Sequence, residues 1–185
     1  GIQALKAVWH RGAVDADGKT GDGAGIHIEI PKDFFIERIE NAGRRHDGGE
    51  ICVGMIFLPR NDYVIQEKCK TLVENELLTR NYYIYRWRQV PVNPKVLGSK
   101  AESNRPEIVQ VIFKSNNKSL KNDELERDLF IVRKKIEKET GLLKIKDFYI
   151  ASLSFRSIIY KGMFLAEALS EFYTDLKDKR FISRF

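Results

Sequence analysis

The sequence predicts an α+β fold with a largely antiparallel sheet. Runs that alternate apolar and polar residues, or are apolar throughout, outnumber simple strand–helix–strand units, so the order is mixed rather than regularly alternating. Bulk agrees: 185 residues with a 43% hydrophobic fraction suffice for one well-cored domain. Residues 1–185 are therefore expected to form a single domain.

In IQALKAVWHRG, Ile2, Leu5 and Trp9 recur at helical spacing, and Gly12 supplies a stop. IHIEI alternates as a half-buried strand closed by Pro31, after which Asp33 can cap a short helix through Ile39 that ends near Gly43. ICVGMIFLP is a buried strand stopped by Pro59. Ile65, Cys69, Leu72 and Val73 share one face of the next helix, with Asn61 or Asp62 as its cap. YYIYRWRQVPV is a strand limited by Pro91, with Trp87 and Arg88 packing and pairing at its surface. NPKVLGSKAESNRP reads as polar connection and EIVQVIFK as another alternating strand. Leu125, Leu129, Val132 and Ile136 make a helical stripe ended by Gly141. FYIASLSF and SIIYKG are two strands joined tightly through Arg156 and Ser157, and Leu165 to Tyr173 is a last short helix.

Composition narrows the function classes. No run approaches the roughly 18 apolar residues of a bilayer span, and the first residues do not form a signal peptide, so no membrane partner is expected. Cys52 and Cys69 form no C-x-x-C pair, which argues against a metal site or a disulfide framework and fits a reducing cytoplasm. The net charge of +6 invites a nucleic-acid reading. Yet KSNNKSLKNDELERDLFIVRKKIEKET alternates its signs at helical spacing, as a solvated helix face does. Zinc-finger, RNP and helix-turn-helix patterns are missing too, so no nucleic-acid partner is expected.

HRGAVDADGKTGDGAG, His10 to Gly25, carries the chemistry question. Gly18-Lys19-Thr20 ends like a phosphate-binding loop, but the first glycine of that pattern falls on Ala13, with Gly12 one residue early. The flanks are reversed as well, a helix before and a strand after, so no helix N-terminus is offered to a phosphate. The dinucleotide pattern fails at Ile26. Glycines at a strand entrance do allow close backbone approach, a feature often found under an active site. Asp22, between glycines, can fix the loop by side-chain-to-backbone bonds.

HRGAVDADGKTGDGAGIHIEIP resembles the N-terminal glutamine amidotransferase domain of the glutamate synthase large subunit. The resemblance continues in order through CVGMIFLP, YRWRQVPVNPKVLGSKAESNRPEIVQVIF and FYIASLSFRSIIYKGMF, nearly the whole chain. It implies an N-terminal-nucleophile fold, an αββα sandwich of mostly antiparallel sheets between helical layers. It also implies hydrolysis of glutamine to glutamate and ammonia by a cysteine at the first residue, with its own α-amino group as base. In the parent enzyme the ammonia passes to synthase domains of the same chain, which use FMN and an iron–sulfur cluster.

The chain departs from the family in that its first residue is Gly1, followed by Ile2, and not the nucleophilic cysteine, which is expected some tens of residues upstream of His10. The resemblance places that cysteine upstream of His10 and the glutamine-holding segment beyond Phe185, so an internal, incomplete piece of the domain is expected. Catalytic residues and cofactor ligands are accordingly expected to be absent from the segment. Cys52 and Cys69 read as core residues rather than substitutes. Arg11 and Gly12 match the Arg-Gly pair beside the family's cysteine and, with Asp22, are the site-lining candidates. His10 reads as a packed or loop-bonded histidine, and Arg156, Tyr160 and Lys161 as architecture. The alternatives are a non-catalytic regulatory or scaffold module of the same fold and a basic nucleic-acid-binding domain.

Overall fold

The computed structural model describes residues 2–7 and 13–182, which fall into two compact units. One contains residues 30–89 and 106–158; the other contains 1–29, 90–105 and 159–185.

The first unit is built on a four-stranded sheet. Its strands are β2 (Ile51–Leu58), β3 (Tyr82–Gln89), β4 (Glu107–Ser115) and β5 (Tyr149–Ser154), in the order β3-β4-β2-β5. Every neighbour pair is antiparallel, with Gly54 opposite both Val111 and Leu153. Helices α3 (Tyr63–Thr79) and α5 (Asn122–Leu142) bury their stripes on this sheet. Cys69, Val73 and Leu77 from α3 and Leu125, Leu129, Val132 and Ile136 from α5 are 0–1% exposed. Of the two cap candidates for α3 it is Asp62 that acts, its carboxylate accepting from the Ile65 amide at 2.9 Å.

Three expectations change in this unit. Helix α2 (Lys32–Glu40) begins after Pro31 with no side-chain cap, and Asp33 sits inside the first turn, where a carboxylate favours the helix dipole. Helix α5 runs through Gly141 and closes at Lys144, which adopts φ +52° while its amide donates to Gly141 O at 3.0 Å. Helical propensity outweighed the glycine because the next residues could make the left-handed closure. Arg88 is not at a surface: it is 9% exposed, its guanidinium lies 5.3 Å from the Phe34 ring, and Nη1 donates to Gln110 Oε1 at 2.8 Å. Its neighbour Trp87 points to the other side and donates from Nε1 to Glu74 Oε1 on α3, at 2.6 Å. The tight junction expected at Arg156 and Ser157 is present: β5 is followed after two residues by β6 (Ser157–Gly162), which belongs to a different sheet. Glu126 on α5 accepts at the switch from Ser154 Oγ at 2.6 Å and from the Phe155 and Arg156 amides at 3.1 and 3.3 Å.

In the second unit, β6 pairs with β1 (Ala24–Glu29), whose alternating exposure is the pattern expected of IHIEI. Gly25 lies against Tyr160 and Lys161 while Gly23 lies near Gly162, so the two strands run antiparallel. Helix α1 (Ile2–Ala7) lies against Ala166–Ala168; Trp9 and Gly12, the remainder of the expected first helix, lie outside the described residues. The stretch expected to be plain connection holds a 3-10 turn at Pro94–Val96 and the short helix α4 (Ser99–Ser103). The last expected helix divides into the 3-10 turn Ala166–Ala168, α6 (Leu169–Phe172) and a further 3-10 turn, Thr174–Lys177. Tyr160, Phe164, Phe172 and Tyr173 form its aromatic centre at edge-on or tilted angles, with ring centroids 4.8–6.2 Å apart.

Candidate active-site segment

The glycine-rich stretch folds as a small hairpin. Val14 bridges Gly21, the Asp15 amide donates to Thr20 O at 2.8 Å, and the Asp22 amide donates to Ala13 O at 3.3 Å. Its turn is made by Asp17. One carboxylate oxygen accepts from the Lys19 and Thr20 amides at 3.0 and 2.7 Å, and the other accepts from Thr20 Oγ1 at 2.6 Å. Those bonds, the Thr20 hydroxyl first, hold the Asp17 carboxyl well below its ordinary 3.8. Gly18 takes φ +69°, which a side chain rarely adopts.

This geometry explains why Gly18-Lys19-Thr20 is no phosphate loop. The amides that would cradle an anion already hold the loop's own carboxylate, and Lys19 points into solvent.

Parts of three of the four segments carrying the resemblance meet here; CVGMIFLP forms β2 in the other unit. Gly98 abuts Asp17 and Thr20 so closely that an added Cβ would collide with the carboxylate and the hydroxyl. Lys100 Nζ lies 2.6 Å from Asp15 Oδ2, the first cause of the lowered Asp15 pKa. A Cβ on Gly21 would come within 3.0 Å of the Phe164 carbonyl, and one on Gly25 within 3.0 Å of Tyr160 O. Tyr173 Oη donates to Lys161 O at 2.8 Å and Tyr160 Oη to Asp175 at 3.3 Å. The architectural reading of Tyr160 and Lys161 agrees with these bonds, as it does for Arg156, paired with Asp123 at 2.7 Å.

Of the site-lining candidates, Arg11 and Gly12 lie outside the described residues, as does His10. Asp22 is exposed, and its amide closes the hairpin, whereas the side-chain bonds expected of it come from Asp15 and Asp17. The pattern Asp15-Ala16-Asp17-Gly18 carried that signal, since Asp before Gly is turn chemistry. Gly98 and Lys100 had no local signal, because their partners lie far away in sequence.

Neither cysteine is placed to act as a nucleophile. Cys52 and Cys69 are 0% exposed in one core, and burial pushes both thiols up, Cys69 to about 11. A raised pKa in the folded state gives stability that is fully present below the unfolded value of 9.0 and is lost as pH rises through about 11. Cys52, Tyr82, Tyr85 and Tyr173 shift in the same direction. Unfolding followed across pH 8 to 11.5 should show stability falling over that window, with both thiols inert to an alkylating reagent at pH 8. Rapid alkylation of the native protein would contradict it.

Among the described residues, no group of three His, Cys, Asp or Glu could hold a metal, and no helix is long and apolar enough to cross a membrane.

A sequence model of the family described as "Glutamine amidotransferases class-II" matches residues 1–185. The chain belongs to the class-II glutamine amidotransferases. This amidotransferase chain is 56% identical over 185 residues to the glutamate synthase (NADPH) large chain of Azospirillum brasilense, and covers 12% of that protein. It is 40% identical over 188 residues to the ferredoxin-dependent glutamate synthase of Pyropia yezoensis, and 34% over 188 to the glutamate synthase (NADPH) large chain of Bacillus subtilis. All of this chain is covered in each comparison, but only 12% of each relative's length. Membership agrees with the mixed α+β content and the antiparallel sheets, and makes this an N-terminal-nucleophile fold.

Proposed function

We propose that the chain is part of the glutamine-hydrolysing, ammonia-generating domain of a glutamate synthase, serving glutamate biosynthesis and ammonia assimilation. The observation that carries this reading is the 56% identity to a glutamate synthase large chain, sustained over all of the chain. The packing of Gly21, Gly25, Gly98 and the Tyr160–Phe164 stretch in one unit supports it, since parts of three resembling blocks, distant in sequence, come together there.

In this reading a cysteine of the whole protein, other than Cys52 or Cys69, attacks the glutamine amide carbon. The C–N bond breaks, ammonia leaves, and water then releases glutamate from the thioester. Arg11, Gly12 and Asp22 line that site. Residues 1–185 work as one domain in the cytoplasm, alongside the synthase domains that receive the ammonia. FMN and the iron–sulfur cluster belong to those domains: two cysteines locked in a packed core do not supply the thiolates a cluster takes.

The reading is tested by ammonia release from glutamine. The full-length protein is expected to release it and the 185-residue chain alone is not. Release at an enzymatic rate by the chain alone would sink the account of the nucleophile, and a full-length protein unable to hydrolyse glutamine would sink the assignment.

A further inference from the structure

We infer that the outer surface of the α3–α5 layer is a docking face, covered in the whole protein by an acidic, apolar-bearing surface from another part of the same polypeptide. The inference goes beyond the function proposed above and takes from it only that this chain works inside a longer one. Among the described residues, twelve large hydrophobic side chains are 40% exposed or more, and six of them sit on these two helices. They are Tyr63, Val64 and Leu78 on α3 and Phe130, Ile131 and Leu142 on α5. The inner face of the layer is already packed on the sheet, so these side chains have no core of their own unit to enter. Single exposed apolar residues are ordinary, but their concentration on one layer marks a surface that meets another.

Charge points the same way. The mixed signs of α5, which in sequence suggest a solvated face, separate in the folded chain. At about 100° per residue, Arg127, Phe130, Ile131, Lys134, Lys138 and Leu142 lie within about 60° of the line opposite the buried stripe. Past the first turn that line bears no acid. The acids turn aside instead: Glu126 meets Ser154 at 2.6 Å, Asp128 meets Tyr82 at 2.7 Å, and Glu137 pairs with Arg133 at 2.7 Å and Lys134 at 2.8 Å. Arg127 and Lys138 make no ion pair among the described residues. Lys134 Nζ also lies 5.7 Å from the Phe130 ring, at the middle of the face. Two unpaired cations around an exposed aromatic side chain call for carboxylates around an apolar one. The same-chain occupant follows from length: this segment is 12% of each relative compared, so most of the polypeptide lies outside it, and a tethered neighbour is present at high effective concentration.

The test uses the full-length protein. The thiol of Phe130→Cys, followed by peptide mass spectrometry, is expected to react with a maleimide about a hundredfold or more slowly than in denaturant. Phe130 is exposed in its own unit, so the substitution opens no cavity. Adding Arg127→Glu and Lys138→Glu is expected to speed that reaction by about fivefold or more, because like charges then face each other. A carbodiimide, which joins amines to carboxylates in contact, is expected to link Lys134 or Lys138 to Asp or Glu outside residues 1–185 of the same molecule. Isotope-labelled and unlabelled protein are mixed so that links within and between molecules differ in mass. A native thiol reacting within about tenfold of the denatured rate would mean an open face and overturn the inference. So would links between two copies, or protection without any carboxylate partner. Glutamine hydrolysis by the unsubstituted protein is measured in parallel: its absence overturns the functional reading, while labelling and cross-links decide the docking face.

Discussion

Replacing Asp128 with alanine is expected to cost about 3 kcal/mol in the opening free energy of the α3–α5 layer. Asp128 on α5 accepts from Tyr82 Oη at 2.7 Å and pairs with Arg80, which also donates from Nε to Glu76 Oε1 at 2.8 Å. Tyr82 is 1% exposed, and burial, reinforced by the Asp128 carboxylate, pushes its hydroxyl up. Truncation strands that hydroxyl and leaves Arg80 with a single carboxylate at the junction of two helices and a strand. Asp128→Asn keeps an acceptor for Tyr82 and is expected to cost about 1 kcal/mol, the worth of one charged contact over a neutral one. Hydrogen exchange of the α3, α5 and β3 amides reads both values. Equal effects for alanine and asparagine would mean that charge, not the tyrosine's bond, holds the layer.

The second large effect concerns Arg11. In the full-length protein, Arg11→Ala is expected to reduce kcat/KM for glutamine by about a hundredfold, the usual scale for losing one charged partner of a bound substrate or its transition state. Glutamate formation from supplied ammonia should fall far less. Comparable losses in the two assays would show that Arg11 acts through folding, and the site-lining assignment would fail.

The fold's elements were legible where a side-chain period reports burial. ICVGMIFL is buried at all but one position, and the stripe Leu125-Leu129-Val132-Ile136 lies under α5 as its spacing requires. Partnership was not legible. Nothing local in FYIASLSF and SIIYKG says that one strand joins β2 and the next joins β1, because sheet membership is decided by distant residues. Arg88 was misplaced for a related reason: its cover comes from Phe34, on an element that sequence spacing cannot bring to it. At the candidate site the resemblance named the loop, and turn chemistry could have named Asp17, but Gly98 and Lys100 became visible only through contacts across the unit.

The change of sheet at Ser154–Ser157 bears on how the chain is made. All four strands of the larger sheet lie between Ile51 and Ser154, so their hydrogen-bond partners are complete before β6 has been synthesised. Strand β1 emerges before the strands of the larger sheet, yet among the described residues its partner is β6, which begins only at residue 157. Closing so long a loop comes late, after local and nested pairings have repaid their entropy. The β1–β6 pairing therefore forms after the larger sheet, and an elongating polypeptide carries β1 as an open edge while residues 30–156 are made.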